Sequence, residues 1–395
     1  MTATTTPILQ EQQQEYRNFI NSLKSPATLR TYKYSLKYFM SYCKTDVIGL
    51  LKGDTKAMEG RIIEFLVHMR QEQRLSYGII STRFTAIKKF YEMNDRSLNF
   101  RKISSYLPEK IRVNKDRAYT TREVQNMLTK CDERMRVVIL LLVSTGVRIG
   151  SVIDLKLKHL TKIDLGNSLY LYQIIVYENT SSEYYCFTTP ECAVAIDSYL
   201  EYRKRYNEKL DQESPLIREQ FNRKDSLLIR HPKPLRYHNL AYIISDILVK
   251  AGIQKIEHVT ESKLNGRIRK DVMRAHGFRK LTETSFIRSK VNAEAREMLM
   301  GHSIGLGDAY YRPDNNEILE EYLKAIDLLT VNEENRLKRK VTELAEKKDE
   351  IEVMEIKHNE EIKAIRDQMN QIISMVQQNP KLAHVKPEAL AKKKI

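Results

Sequence analysis

Four short segments in the second half of this 395-residue chain carry side chains suited to phosphate chemistry: Thr145-Gly146-Val147-Arg148, His276-Gly277-Phe278-Arg279, Gly301-His302-Ser303 and Tyr310-Tyr311-Arg312. A phosphodiester is shielded by its own negative charge, so an attacking oxygen needs that charge neutralised and the leaving oxygen needs a proton. Arginine suits the first task, because its planar fork meets two phosphate oxygens and stays charged at physiological pH. Arg148 and Arg279 could clamp both non-bridging oxygens without a metal ion, so neither a metal nor a cofactor is expected. Histidine, which exchanges protons near neutrality, suits the second task and offers His276 and His302. A tyrosine nucleophile, Tyr311 or Tyr310, would hold the phosphate covalently and keep the bond energy for rejoining. Each piece alone has an ordinary reading as a surface ion pair, a packed ring or one of 22 tyrosines. The ordered set carries the signal.

The segments sit among elements that must position them. Arg134 to Ser144, with Val137 through Val143 apolar throughout, predicts a deeply buried helix that ends at Thr145-Gly146, so that Arg148 leaves the core at a turn. Ahead of it, Thr120 or Thr121 with Glu123 forms a capping-box pattern. Leu169 to Val176 and Tyr184 to Thr189 are rich in β-branched and aromatic residues and read as a hairpin joined by the polar segment Glu178 to Glu183. Helical periods recur at Glu191 to Tyr206, Asn239 to Ala251, Phe278 to Ser289, Ala293 to Met300 and Asn316 to Leu329.

The first hundred residues are separate in character. Tyr16 to Tyr42 reads as two helices broken at Ser25-Pro26, followed by helices over Arg61 to Glu72 and Ser76 to Met93. Lys33, Lys37, Arg83 and Lys88 accompany their apolar faces and are either solvated or DNA-gripping. Ser97 to Asp116, with Pro108 and a basic run, reads as a linker. From Leu337 onward Val341, Leu344, Ile351, Ile362, Ile365, Met369, Ile372 and Val376 keep an a/d seam, interrupted by Lys348, Glu355 and His358. Pro380 ends it. The expected organisation is a disordered start over 1–12, a helical unit over 13–108, a mixed unit over 115–329, a coiled-coil helix over 331–378 and a basic disordered tail over 379–395. The fold class expected is mainly α with a small β-sheet.

A net charge of +16 and a pI near 9.4 favour a polyanionic partner, since neutralising phosphates releases condensed counterions. No apolar run reaches the roughly 18 to 20 residues of a membrane span, and the start lacks a secretory apolar core. A soluble cytoplasmic protein associated with the nucleoid is expected, with no membrane partner. Cys43, Cys131, Cys186 and Cys192 form no CxxC pair and read as free thiols.

In this order the boxes resemble those of the tyrosine recombinases, or phage-type integrases, most closely their archaeal branch, over roughly Tyr16 to Leu329. The resemblance assigns Arg148 to a Thr-Gly-x-Arg box, His276 and Arg279 to a His-x-x-Arg box, and His302 to a Gly-His box. Counting nine residues on from His302 reaches Tyr311 as nucleophile, with Tyr310 the alternative. It implies an N-terminal core-binding domain and a C-terminal α+β catalytic domain closing on duplex DNA, with a homotetramer in synapsis. Arg267, Arg269 and Lys270, just before His276, would suit phosphate contacts.

Two departures from the family pattern stand out. The family places a lysine in the hairpin to protonate the leaving 5′ oxygen, yet no Lys or Arg occurs between Lys162 and Arg203. Either Lys162 or His276 supplies that proton, or cleavage is slow. Ser151 stands where the family often has a carboxylate. The function implied is site-specific integration or excision of DNA through a 3′-phosphotyrosine. The alternatives are a DNA-binding or architectural protein of the same fold without efficient cleavage, and a type IB topoisomerase.

Overall fold

Ser25-Pro26 breaks the first helical stretch where expected, giving helices Gln14–Asn21 and Pro26–Cys43; proline at the first helical position lacks only an amide that has no partner there. The computed structural model describes residues 13–110, 116–220, 225–254, 272, 274–304 and 313–378. They fall into two compact units, Met1–Val113 and Asn114–Ile395. The fold is mainly helical with one small sheet, as the sequence predicts.

In the first unit the helix expected from Arg61 begins earlier, over Thr55–Gln71, because the Asp54 carboxylate accepts from the Ala57 amide and caps it. With Pro26–Cys43 and Tyr77–Glu92 it buries Leu36, Phe39, Ile62, Phe65, Ile87 and Phe90. The expected linker starts too early. Leu98 and Ile103 belong to this core, Phe100–Ser104 is helical, and the buried Glu59 carboxylate accepts from the Asn99 amide at 2.8 Å and from Lys102 Nζ at 3.1 Å. The polar character of the segment hid this anchoring from the sequence.

In the second unit Thr120, not Thr121, caps Thr121–Leu128, and its amide donates back to Glu123 at 2.8 Å. The helix Glu133–Thr145 is buried on every side, from Val137 through Val143, and packs between Pro190–Arg205 and Arg274–Arg288. The sheet has three antiparallel strands in the order β1 (Leu160–Gly166), β2 (Leu169–Val176) and β3 (Tyr184–Phe187). β1 was not expected. Its polar, half-exposed sequence shows no clean alternation, but Asn167 and Ser168, both left-handed at φ 51° and 61°, turn it tightly onto β2. β3 stops two residues short of the expected end, because Thr189 caps the next helix by accepting from the Cys192 amide. The helix expected over Asn316 to Leu329 is split into Asn315–Leu323 and Ile326–Leu329.

A single helix, Glu333–Gln378, closes the described chain and leaves Leu337, Val341, Leu344, Ile351, Ile362, Ile365, Met369 and Ile372 exposed. Among the described residues no helix is long and apolar enough to cross a membrane. All four cysteines are free. The start over 1–12 and the basic tail over 379–395 lie outside the described residues.

Candidate active site

Gly146 ends the helix Glu133–Thr145 in a left-handed conformation, φ 63°, that an L side chain rarely adopts. A Cβ there would also stand 3.0 Å from Met300 Sδ and 3.1 Å from Thr282 Cβ, so glycine lets three segments meet. Val147 is buried and Arg148 is exposed at the head of the short helix Ile149–Val152. The buried Ser151 hydroxyl donates to the Arg148 carbonyl at 2.7 Å, so it supports the turn. Asp154 makes no ion pair with Arg148 among the described residues; burial raises its carboxyl above the usual range.

Arg279 lies on Arg274–Arg288 and is buried. Its Nη1 donates to Gly146 O at 2.7 Å, and its Nη2 donates to Met300 O and meets His302 Nε2 at 2.7 Å. Burial, and then the like charge of Arg148, push its pKa down. Arg148 reaches the same turn, with Nη1 3.5 Å from Gly301 O. Arg148, Arg279 and His302 therefore converge on one turn from three distant parts of the sequence.

The helix Ala293–Leu299 leads into that turn, where Gly301 takes φ 62° and the His302 amide bonds back to Glu297 O at 2.9 Å. His302 Nδ1 lies 2.6 Å from Glu297 Oε2. Because a guanidinium can only donate, the Nε2 facing Arg279 must accept, and the imidazole proton sits on Nδ1 toward the carboxylate. Burial raises the Glu297 carboxyl, but hydrogen bonds from His302 and Arg296 outweigh it and hold the pKa below the usual range. Glu297 escaped the sequence reading. Its only signal there is a carboxylate five residues before the Gly-His histidine.

The other expected residues are placed differently. His276 is exposed, three residues before Arg279, and opens on a cavity of about 350 Å³ shared with Ile149 and Tyr237. It makes no hydrogen bond to Arg148, Arg279 or His302 among the described residues. Lys162 is exposed on β1 with its ammonium 3.6 Å from the centre of the Tyr170 ring, and it makes no bond to the arginines or His302. In the first unit, Arg83 lies 4.0 Å from the Tyr38 ring centre and bonds Met69 Sδ, and Lys88 stands 3.7 Å from Glu92. Lys33 is half-buried and Lys37 exposed. Tyr310, Tyr311, Arg267, Arg269 and Lys270 lie outside the described residues. No group of three or more His, Cys, Asp or Glu able to hold a metal ion occurs among the described residues.

The profile of the phage integrase family matches residues 117–316, which contain every box discussed above. The chain belongs to the phage integrase family. It is a site-specific tyrosine recombinase, a DNA strand transferase. It is 22% identical over 325 residues to tyrosine recombinase XerC of Leptospira interrogans, from serovars copenhageni and Lai, covering 78% of this chain and 92% of the relative. Solved structures similar to the recombinase include the Tn1549 transposon integrase in complex with transposon right end DNA, at 15% identity and TM-score 0.48 over 78% of this chain and 98% of that one. Another is a lambda integrase tetramer bound to a Holliday junction, at 14% identity and TM-score 0.48 over 76% of each chain.

Proposed function

We propose that the recombinase cuts and rejoins duplex DNA at specific sites by attack of Tyr311, with Tyr310 the alternative, on a phosphate clamped by Arg148 and Arg279. The phenolic oxygen bonds to phosphorus, the bond to the 5′ oxygen breaks, and a 3′-phosphotyrosine remains. Reversal by an incoming 5′ hydroxyl restores the backbone without ATP. The observation that carries this reading is the meeting of Arg279 with Gly146, Met300 and His302, beside Arg148, in one turn. His302, held by Glu297 at Nδ1 and accepting from Arg279 at Nε2, fixes that arginine beside the phosphate and would serve as proton acceptor or hydrogen-bond partner there once the Nε2 contact opens. His276 and Lys162 are the proposed sources of the leaving-group proton.

Met1–Val113 would act as the core-binding domain and the mixed unit as the catalytic one, with Lys33, Lys37, Arg83, Lys88, Arg267, Arg269 and Lys270 reaching phosphates. Self-association is proposed from the exposed apolar seam of Glu333–Gln378, and a homotetramer in synapsis from the resemblance to the tyrosine recombinases. The decisive experiment is a nicked suicide duplex carrying the attachment site. Covalent protein–DNA adduct is expected with the unaltered chain and with Tyr310→Phe, and none with Tyr311→Phe. The reverse pattern reassigns the nucleophile. Binding without adduct favours the second reading, a DNA-binding protein without cleavage, which the absence of any Lys or Arg from residues 177–183 supports.

A further inference from the structure

Tyr184 opens β3, paired with Val176 at the end of the hairpin that lacks the lysine. Strand alternation sends Tyr185 outward and Tyr184 inward, where it is 8% exposed. Its ring lies against the backbone of Gly301. A Cβ on that glycine would fall 2.4 Å from Tyr184 Cε1. Tyr184 is thus seated beneath the turn whose neighbours bond Arg148, Arg279 and His302, and with Gly301, His302 and Ser181 it lines a cavity of about 540 Å³.

The hydroxyl of Tyr184 is buried; Arg279 lies near enough to donate toward its oxygen, and among the described residues no group accepts its proton. Among the described residues Arg279 and Arg148 are the cations close enough to act on it, and burial keeps the phenol protonated. A guanidinium can donate to the phenol oxygen but offers no lone pair, so neither arginine can satisfy the hydroxyl proton. Arg148 and Arg279 each keep N–H groups beyond those given to the carbonyls and to His302, and with the Tyr184 hydroxyl they bring donors to one turn where, among the described residues, no single acceptor serves all three. An oxyanion satisfies all three.

We propose that the Tyr184 hydroxyl is a third hydrogen-bond donor to the scissile phosphate, delivered by the same hairpin that elsewhere in the family carries the lysine. This rests on the strand-transfer reading above. No proton is transferred. The hydroxyl donates to a non-bridging oxygen whose charge grows as the tyrosine attacks, so the interaction strengthens toward the transition state.

Tyr184→Phe keeps the ring against Gly301 and removes only the donor. Single-turnover adduct formation on the nicked site should fall roughly 10- to 100-fold, toward the lower end of what an oxyanion donor contributes, with no drop in Tm. A parallel arm measures equilibrium binding to the same duplex with an ordinary phosphate or an uncharged methylphosphonate at the scissile position. The ordinary duplex should lose affinity on Tyr184→Phe, and the methylphosphonate isomer lacking the accepting oxygen should not. Equal adduct rates for the two proteins, or equal affinity loss on both duplexes, would overturn the proposal. If the unaltered chain forms no adduct, the strand-transfer reading fails on its own, and the binding arm alone decides on Tyr184.

Discussion

Glu297 holds one ring nitrogen of His302 at 2.6 Å while Arg279 meets the other at 2.7 Å, so the imidazole is gripped at both ends and its tautomer is fixed. Removing the carboxylate frees the ring to turn or to place its proton on Nε2, where it would oppose Arg279. Glu297→Ala should therefore lower adduct formation by roughly 10²-fold, the scale of a misplaced acid–base group. Glu297→Gln, whose amide oxygen still accepts from Nδ1, should lose less. The carboxyl titrates below its ordinary range. Its stabilisation is thus present at neutral pH and disappears as pH falls through that lowered value, so the Tm gap between the unaltered chain and Glu297→Ala should narrow in acid. Adduct formation by Glu297→Ala within twofold of the unaltered chain would remove Glu297 from the mechanism.

The two arginines differ in what else they do. Arg279 is buried and satisfies the carbonyls of Gly146 and Met300, whereas Arg148 is exposed and makes one long contact to Gly301. Lysine cannot span two carbonyls, so Arg279→Lys should destabilise the fold by about 1–3 kcal/mol through an unsatisfied buried acceptor. Arg148→Lys should stay within ~0.5 kcal/mol of the unaltered chain. Both should cut adduct formation by roughly 10²-fold or more, because each removes a fork from the phosphate. Chemical denaturation beside single-turnover cleavage separates the two effects. Equal stability losses would contradict this division of labour.

Much of this site was legible in the sequence, and the rest was hidden for physical reasons. The unbroken apolar run Val137 to Val143 announces a buried helix, and Gly146 announces its end, so the exit point of Arg148 follows directly. Glu297 did not stand out, because its reach to His302 depends on the left-handed turn at Gly301. Tyr184 reads as an ordinary strand aromatic until the Gly301 backbone is placed against its ring. β1 was missed because pairing with β2, not its own pattern, makes it a strand. Asn99 and Lys102 looked like linker residues because their partner, Glu59, lies 40 and 43 residues earlier.

Stability of the catalytic unit should depend on a buried carboxylate remote from the phosphate turn. Glu208 is fully buried between Arg203, at 2.6 Å, and Arg218, at 2.7 Å. Glu208→Gln leaves two guanidiniums facing a neutral amide and should cost about 3–5 kcal/mol, the usual penalty for stripping one partner from a buried ion pair. Thermal unfolding checks this. At a temperature where the variant is still folded, its adduct formation should match that of the unaltered chain. A loss of stability under ~1 kcal/mol would show that the arginines are satisfied by the carbonyls of Pro215, Leu216, Leu228 and Ile229 alone.

Among the described residues, the bonds that tie the long helix to the catalytic unit lie near its beginning. The amides of Val331 and Asn332 donate to Glu191 at 2.8 and 3.2 Å, Gln125 donates to Val331 O, and Arg339 pairs with Asp327. A cut after Leu329 would strip these anchors, whereas a cut after Ala345 keeps them and removes most of the exposed apolar seam. The longer truncated chain should hold its stability within ~0.5 kcal/mol, since surface residues beyond the anchors carry little, while its self-association falls. Sedimentation at several concentrations reads this directly. In a parallel in-register pair Lys348 would face its own copy in the seam, an arrangement that weakens a coiled coil. Lys348→Leu should therefore raise self-association in the full chain. An unchanged mass distribution in both variants would leave the helix without a part in assembly.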